Sequence, residues 1–181
     1  CKKVGVLLCG ELYTSLEKRG SSGDVRNVWK EFNNHFEWVV GVAGNHDTFG
    51  NETEKEEFIS EPNIHLLHNE TIEIDGLKIG GISGIIGRTD KPNRVGEPNF
   101  LNGLTKLSKK ELDFILIHET PDFPKNNEIG NSKIREHIEK LNPTRICCGH
   151  CFWDNSLANF DNKTQVLNVD SKVILMKIKS S

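Results

Sequence analysis

Apolar residues in this chain fall into short runs, each closed by glycine or a polar turn, and between the runs they recur at helical spacing. Val4 to Leu8 reads as a short buried strand followed at once by Gly10. After Ser21-Ser22-Gly23-Asp24, which offer N-cap candidates, Val25, Val28, Trp29, Phe32 and Phe36 repeat at three- and four-residue steps and predict a helix. The next run, Trp38 to Ala43, is continuously apolar and β-branched, as a strand of a buried parallel sheet requires. A strand, a helix and a parallel strand make a right-handed crossover that leaves both carboxyl ends on one edge. Gly10-Glu11 and Gly44-Asn45-His46-Asp47 are therefore expected to be neighbours in space, in the crevice where open α/β sheets collect ligands.

The same reading continues to the end of the chain. Glu52 to Ile59 suggests a short charged helix and Ile64 to Leu67 a strand. Glu70 to Ile74, Asp75-Gly76 and Leu77 to Ile82 fit a hairpin with a two-residue turn. Gly80 to Gly87 is glycine-rich at irregular spacing; with no GxGxxG and no helix pattern after it, it predicts close packing rather than a phosphate cradle. Arg88 to Gly103, with Pro92, Pro98 and three asparagines, reads as a long surface loop. Asp113 to Ile117 is a strand ending in His118-Glu119-Thr120-Pro121-Asp122, and Asn131 to Leu141 a helix with Ile134, Ile138 and Leu141 inward. Arg145 to Cys148 is a strand ending in Gly149-His150, and Ser156 to Phe160, Gln165 to Val169 and Lys172 to Ile178 read as antiparallel strands.

Composition narrows the class. The 181 residues, 35% hydrophobic, fit a single domain, 1–181, with a sizeable core. The 23 basic and 26 acidic residues are scattered and sum to −3, so neither nucleic acid nor a membrane surface is the expected partner. No apolar stretch approaches the ~20 residues of a membrane span, and no signal-peptide pattern is present; the expected cytoplasmic location rests on the cysteines, whose odd number fits reduced thiols. The chain opens on Cys1 rather than Met, which fits an N-terminally incomplete domain. Five cysteines, an odd number, point to reduced thiols. Cys147 and Cys148 lie next to each other on a predicted strand and should face opposite ways, so they cannot share one zinc ion.

Of seven histidines, His46, His118 and His150 sit at predicted strand ends, with Asn45 and Glu11 expected on the same edge. Imidazole, carboxylate and amide oxygen make a mixed nitrogen and oxygen set that suits Mn, Fe or Zn better than Ca or Mg. Asp47 is placed to orient the imidazole of its neighbour His46. Arg88 and Arg94, in the long loop, are candidates to hold a second phosphate group.

On these residues the chain resembles the calcineurin-like metallophosphoesterases. Gly44-Asn45-His46-Asp47 matches the GNHD/E motif, His118-Glu119-Thr120-Pro121 the histidine ligand before a proline-containing turn, and Gly149-His150 the start of GHxH. Leu7-Leu8-Cys9-Gly10-Glu11 is similar to the strand ending in Gly-Asp, with Glu in place of Asp. The resemblance implies an α/β fold, a four-layer α/β/β/α sandwich with metals at its strand ends. It implies one metal site made of Glu11, Asn45, His118 and His150, with His46 on the phosphate as general acid and Asp47 orienting it. The activity implied is hydrolysis of a small phosphomonoester or phosphodiester by metal-bound hydroxide, with one or two divalent ions, Mn foremost and Fe or Zn as alternatives.

The first metal site of that family has no counterpart here. No Asp-x-His precedes Gly10, and nine residues are too few for a strand and crossover helix, so the fold is expected to lack its first strand. Phe152 stands where the second histidine of GHxH belongs, and Asp154 is the nearest substitute donor. The alternative function is a degenerate phosphoesterase fold that binds one metal or none and serves as a protein-interaction scaffold.

Overall fold

A computed structural model describes residues 3–13, 18 and 20–177 of the chain. It begins with β1 (Val6–Leu8), β2 (Gly23–Asp24), α1 (Arg26–His35), β3 (Val39–Gly41), β4 (Asp47–Thr48), α2 (Glu52–Ile59) and β5 (Ile64–Leu66). The hairpin β6 (Glu70–Ile74) and β7 (Leu77–Ile82) follows, then β8 (Ile85–Ile86), β9 (Arg94–Val95) and α3 (Glu97–Ser108). The last part holds β10 (Phe114–Ile117), α4 (Ser132–Ile138), β11 (Arg145–Cys148), β12 (Leu157–Asn159) and β13 (Gln165–Asn168). No helix among the described residues is long and apolar enough to cross a membrane.

Two sheets carry the fold. The smaller runs β1-β3-β5, all parallel; the larger runs β12-β13-β11-β10-β7-β6, parallel at its centre and antiparallel at both edges. The parallel strands are apolar on both faces because both are covered. On one side of the smaller sheet, Val25 and Trp29 of the α1 region and Phe58 of α2 pack with Val39 and Ile64. On one side of the larger sheet, Phe100, Leu104 and Leu107 of α3 and Ile134 and Ile138 of α4 pack with Ile115, Ile117 and Ile146. A third cluster draws Val40 and Val42 from one sheet and Ile79, Leu116 and Cys147 from the other. Cys148 belongs to the helix-covered cluster and Cys147 to this one, so the adjacent thiols do face opposite ways. All four described cysteines are free; Cys1 lies outside the described residues.

Three expectations need correction. Arg88 to Gly103 is not all loop: β9 and α3 begin inside it. Its asparagines and prolines mask Phe100, Leu104 and Leu107, whose spacing is helical, and Pro98 falls in the first turn of α3, where no N–H is missed. At α1, Ser21 and Ser22 do not cap the helix. Val25 is the N-cap, with no side-chain bond, while the Asp24 carboxylate takes the Arg26 N–H. Finally, of the closing strands expected to be antiparallel, β13 is antiparallel to β12 but parallel to β11, 172–177 forms no strand, and Ile178 lies outside the described residues. Val173 and Leu175 of that segment are almost fully exposed, and β1 is an edge strand with no partner on its outer side among the described residues.

Candidate metal centre

The turns after β1 and β3 meet backbone to backbone. Gly10 has φ of +82°, and a Cβ there would lie 2.4 Å from Gly44 N, so this approach is open to glycine only. The Asp47 carboxylate bonds the two turns together. Its Oδ2 accepts the N–H groups of Gly44 (2.6 Å) and Glu11 (2.8 Å), and its Oδ1 that of Leu12 (3.0 Å). Asp47 is therefore engaged with the backbone, and no hydrogen bond joins it to His46 among the described residues. A buried carboxylate goes where donors are densest, and three N–H groups of two tight turns converge on this one. Burial raises its pKa and the three N–H bonds oppose the rise.

Glu11 itself has φ of +58° and His150 +72°, left-handed conformations that cost a non-glycine residue roughly 1–3 kcal/mol. Such strain persists only where the surroundings hold it. Asp47 holds Glu11, and both neighbours of His150 are tied to the turn after β10: Gly149 N donates to His118 O (3.2 Å) and Cys151 N to Thr120 Oγ1 (3.4 Å).

His118, Glu11 and His150 come together at the carboxyl ends of β10, β1 and β11, and their ligand atoms all lie within 4.8 Å of one another. His118 Nδ1 donates to the Cys9 carbonyl at 2.7 Å, which leaves Nε2 with a lone pair in the neutral ring. Burial pushes the His118 pKa down to about 4, so the ring is neutral near pH 7. That Nε2 faces Asn45 Oδ1 at 3.0 Å and Glu11 Oε2 at 3.6 Å. His150 Nδ1, buried and without a hydrogen-bond partner, is 3.7 Å from the same Glu11 oxygen. Imidazole nitrogens and a carboxylate oxygen gathered this closely make a donor set of the kind a divalent cation takes. The donor set fits a divalent metal, which Glu11, His118 and His150 would hold, with Asn45 Oδ1 beside them. His150 holds the Glu11 carboxyl below its usual pKa, and Glu11 in turn raises that of His150, helped by Glu119 and opposed by burial and Arg94.

His46 stands beside the cluster, its Nε2 3.7 Å from Glu11 Oε1. A cavity of about 640 Å³, lined by Cys9, Glu11, His46, His150 and Lys172 among others, opens on this side. A second, of about 500 Å³, lies past His150 against Glu119 and Asn131. Phe152 and Asp154 are both exposed and outside the cluster. Lys172 Nζ lies 4.5 Å from the centre of the Phe152 ring, and Asp154 is held through its N–H by Glu128. Arg88 is tied to Asp90 away from the site, whereas Arg94 donates to Asn45 O at 3.4 Å.

Sequence reasoning passed over Asn93. Its Nδ2 donates to Gly44 O (2.9 Å) and Asp47 O (2.7 Å), clamping the turn that carries Asn45 and His46. The only signal was an asparagine in a turn-rich stretch, a residue type that tolerates the φ of +49° found here. Glu119 was also missed as a support: buried, it accepts the Ile86 N–H at 2.6 Å.

No family model matches the sequence, and no curated protein matches it. Among solved structures, the fold is similar to the crystal structure of TT1561 of Thermus thermophilus, with a TM-score of 0.62 and 16% identity. The match covers 80% of this chain and 68% of that one. The shared feature at that identity is the fold, a mixed α/β arrangement. The site that stands on it here, a group of metal-capable side chains at parallel strand ends, is read from this chain's own residues.

Proposed function

We propose that this chain is a hydrolase of the calcineurin-like metallophosphoesterase type, a single domain layered α/β/β/α that uses a divalent cation, Mn foremost, to cleave small phosphomonoesters or phosphodiesters. The observation that carries the reading is the convergence of metal-capable atoms from Glu11, His118 and His150, all within 4.8 Å of one another, with Asn45 Oδ1 3.0 Å from His118 Nε2. The phosphate ester assignment is supported by the three ordered motifs that end in these residues and by their place on a mixed α/β fold.

A bound cation supplies Lewis acidity, polarising a phosphoryl oxygen and lowering the pKa of adjacent water. The protein's own part is positional. Cys9 O holds the His118 ring so that Nε2 points into the site, while Asn45 and Glu11 complete the donor set. His46, half-buried at the mouth of the cavity, is the group placed to hand a proton to the leaving ester oxygen. Asp47 acts as a positioning residue through Glu11 and Gly44.

The test is Mn-dependent hydrolysis of 4-nitrophenyl phosphate and its bis-ester, with metal content measured alongside. Wild type is expected to hold metal and turn over one of the two; His150→Ala should lose metal and activity, and His46→Ala activity with metal retained. Full activity in both variants overturns the reading. The second reading, a scaffold of this fold without catalysis, is favoured by Phe152, exposed and turned to Lys172, and by a single metal-capable group among the described residues. It predicts metal binding, or none, with no hydrolysis in wild type.

A further inference from the structure

Arg94 has no carboxylate within ion-pair distance among the described residues, although it is half-buried beside the metal-capable cluster. Its guanidinium makes one long contact, Nη1 to the Asn45 carbonyl at 3.4 Å, which leaves most of its five N–H donors unused. Arg88, six residues earlier, shows the ordinary arrangement: its side chain is 77% exposed and forked onto Asp90. The backbone of Arg94 is well fixed. It pairs with Ile85 in the β8–β9 ladder, and its predecessor Asn93 is bonded to the Gly44–Asp47 turn. Its stem lies over Gly87, where a Cβ would come within 2.8 Å of Arg94 Cδ. A partly desolvated guanidinium held in one place without a counter-ion is a receptor for an oxyanion, because a planar fork matches phosphate oxygens in pairs.

We propose that Arg94 is the anion anchor of this site, binding the phosphate oxygens of the substrate. The inference rests on the phosphoesterase reading and names a residue that the ligand set and His46 do not include. Arg94 would recognise charge and geometry, while the cluster that holds the metal remains complete without it.

The experiment measures binding of inorganic phosphate to the Mn-loaded protein by calorimetric titration, with metal content and melting temperature taken on the same samples. Arg94→Gln is expected to weaken phosphate binding about tenfold or more, and Arg94→Lys to recover part of the loss, with metal content unchanged in both. A purely structural Arg94 would instead lower metal content or melting temperature through Asn45. Phosphate affinity in Arg94→Gln within twofold of wild type overturns the anchor and leaves the phosphoesterase reading standing. If wild type holds Mn but binds no phosphate, the anchor falls, while the phosphoesterase reading is decided by hydrolysis of 4-nitrophenyl phosphate and its bis-ester.

Discussion

The Glu11 N–H is bonded to the Asp47 carboxylate at 2.8 Å, so a residue from the turn after β3 fixes the backbone of a metal-ligand candidate 36 positions earlier. Asp47→Asn keeps the shape and one acceptor oxygen but sets an amide N–H against the donors of the other, Leu12 N–H or the Gly44 and Glu11 N–H pair. Leaving buried donors unpaired costs about 1–3 kcal/mol. The variant should melt several degrees lower and bind Mn more weakly, both measurable by thermal denaturation with and without metal. His46→Ala, which touches none of these bonds, should melt like wild type; equal melting of both variants would contradict this division of roles.

Asn93 makes the complementary clamp from the other side of the same turn. Asn93→Ala removes two hydrogen bonds and places a residue with a Cβ and no local bonding at φ of +49°. A loss of about 1–3 kcal/mol is expected. Asn93→Gly, which accepts that φ, should lose less, and urea denaturation of the pair separates the backbone contribution from that of the side chain.

How much of this was legible follows from the kind of signal each residue sends. The strand ends carrying Glu11, Asn45, His118 and His150 were readable, because parallel strands are continuously apolar and the polar residue after each run marks an edge. The role of Asp47 was not: sequence adjacency suggested His46, while the donors that claimed it come from Glu11 and Leu12, brought close only by the crossover. Helix α3 was hidden for a local reason. Its first turn, Glu97-Pro98-Asn99, has loop composition, and only Phe100, Leu104 and Leu107 reveal the buried face.

Metal binding should stabilise the fold, since the unfolded chain cannot hold the four donors together. A ligand present at 100 times its dissociation constant adds about 2.7 kcal/mol. Differential scanning calorimetry should show a rise in melting temperature on adding Mn that EDTA reverses. His118→Ala should abolish the rise, and a rise of the same size in that variant would place the cation elsewhere.

Acid stability should depend on Glu128. Its Oε1 accepts the Asn155 N–H at 2.8 Å and its Oε2 the Asp154 N–H at 3.1 Å, and these bonds, Asn155 foremost, hold its pKa below the usual carboxylate value. With the folded pKa below the unfolded value of about 4.3, its contribution is complete above that pH and fades as pH falls through the folded pKa. Glu128→Gln should therefore melt below wild type at pH 7, with the gap closing under acid; a gap constant down to pH 3 would refute the assignment.

Among the described residues no strand pairs with the outer side of β1, and the same molecule presents Val173 and Leu175 to water. An open strand edge is a template for further pairing, so the colloidal state of this protein should depend on concentration. Light scattering is expected to rise with concentration at pH 7, and Val173→Lys with Leu175→Lys to flatten the curve. The candidate ligand Glu11 lies three residues past the end of β1, so a contact made along that edge would adjoin the candidate metal site.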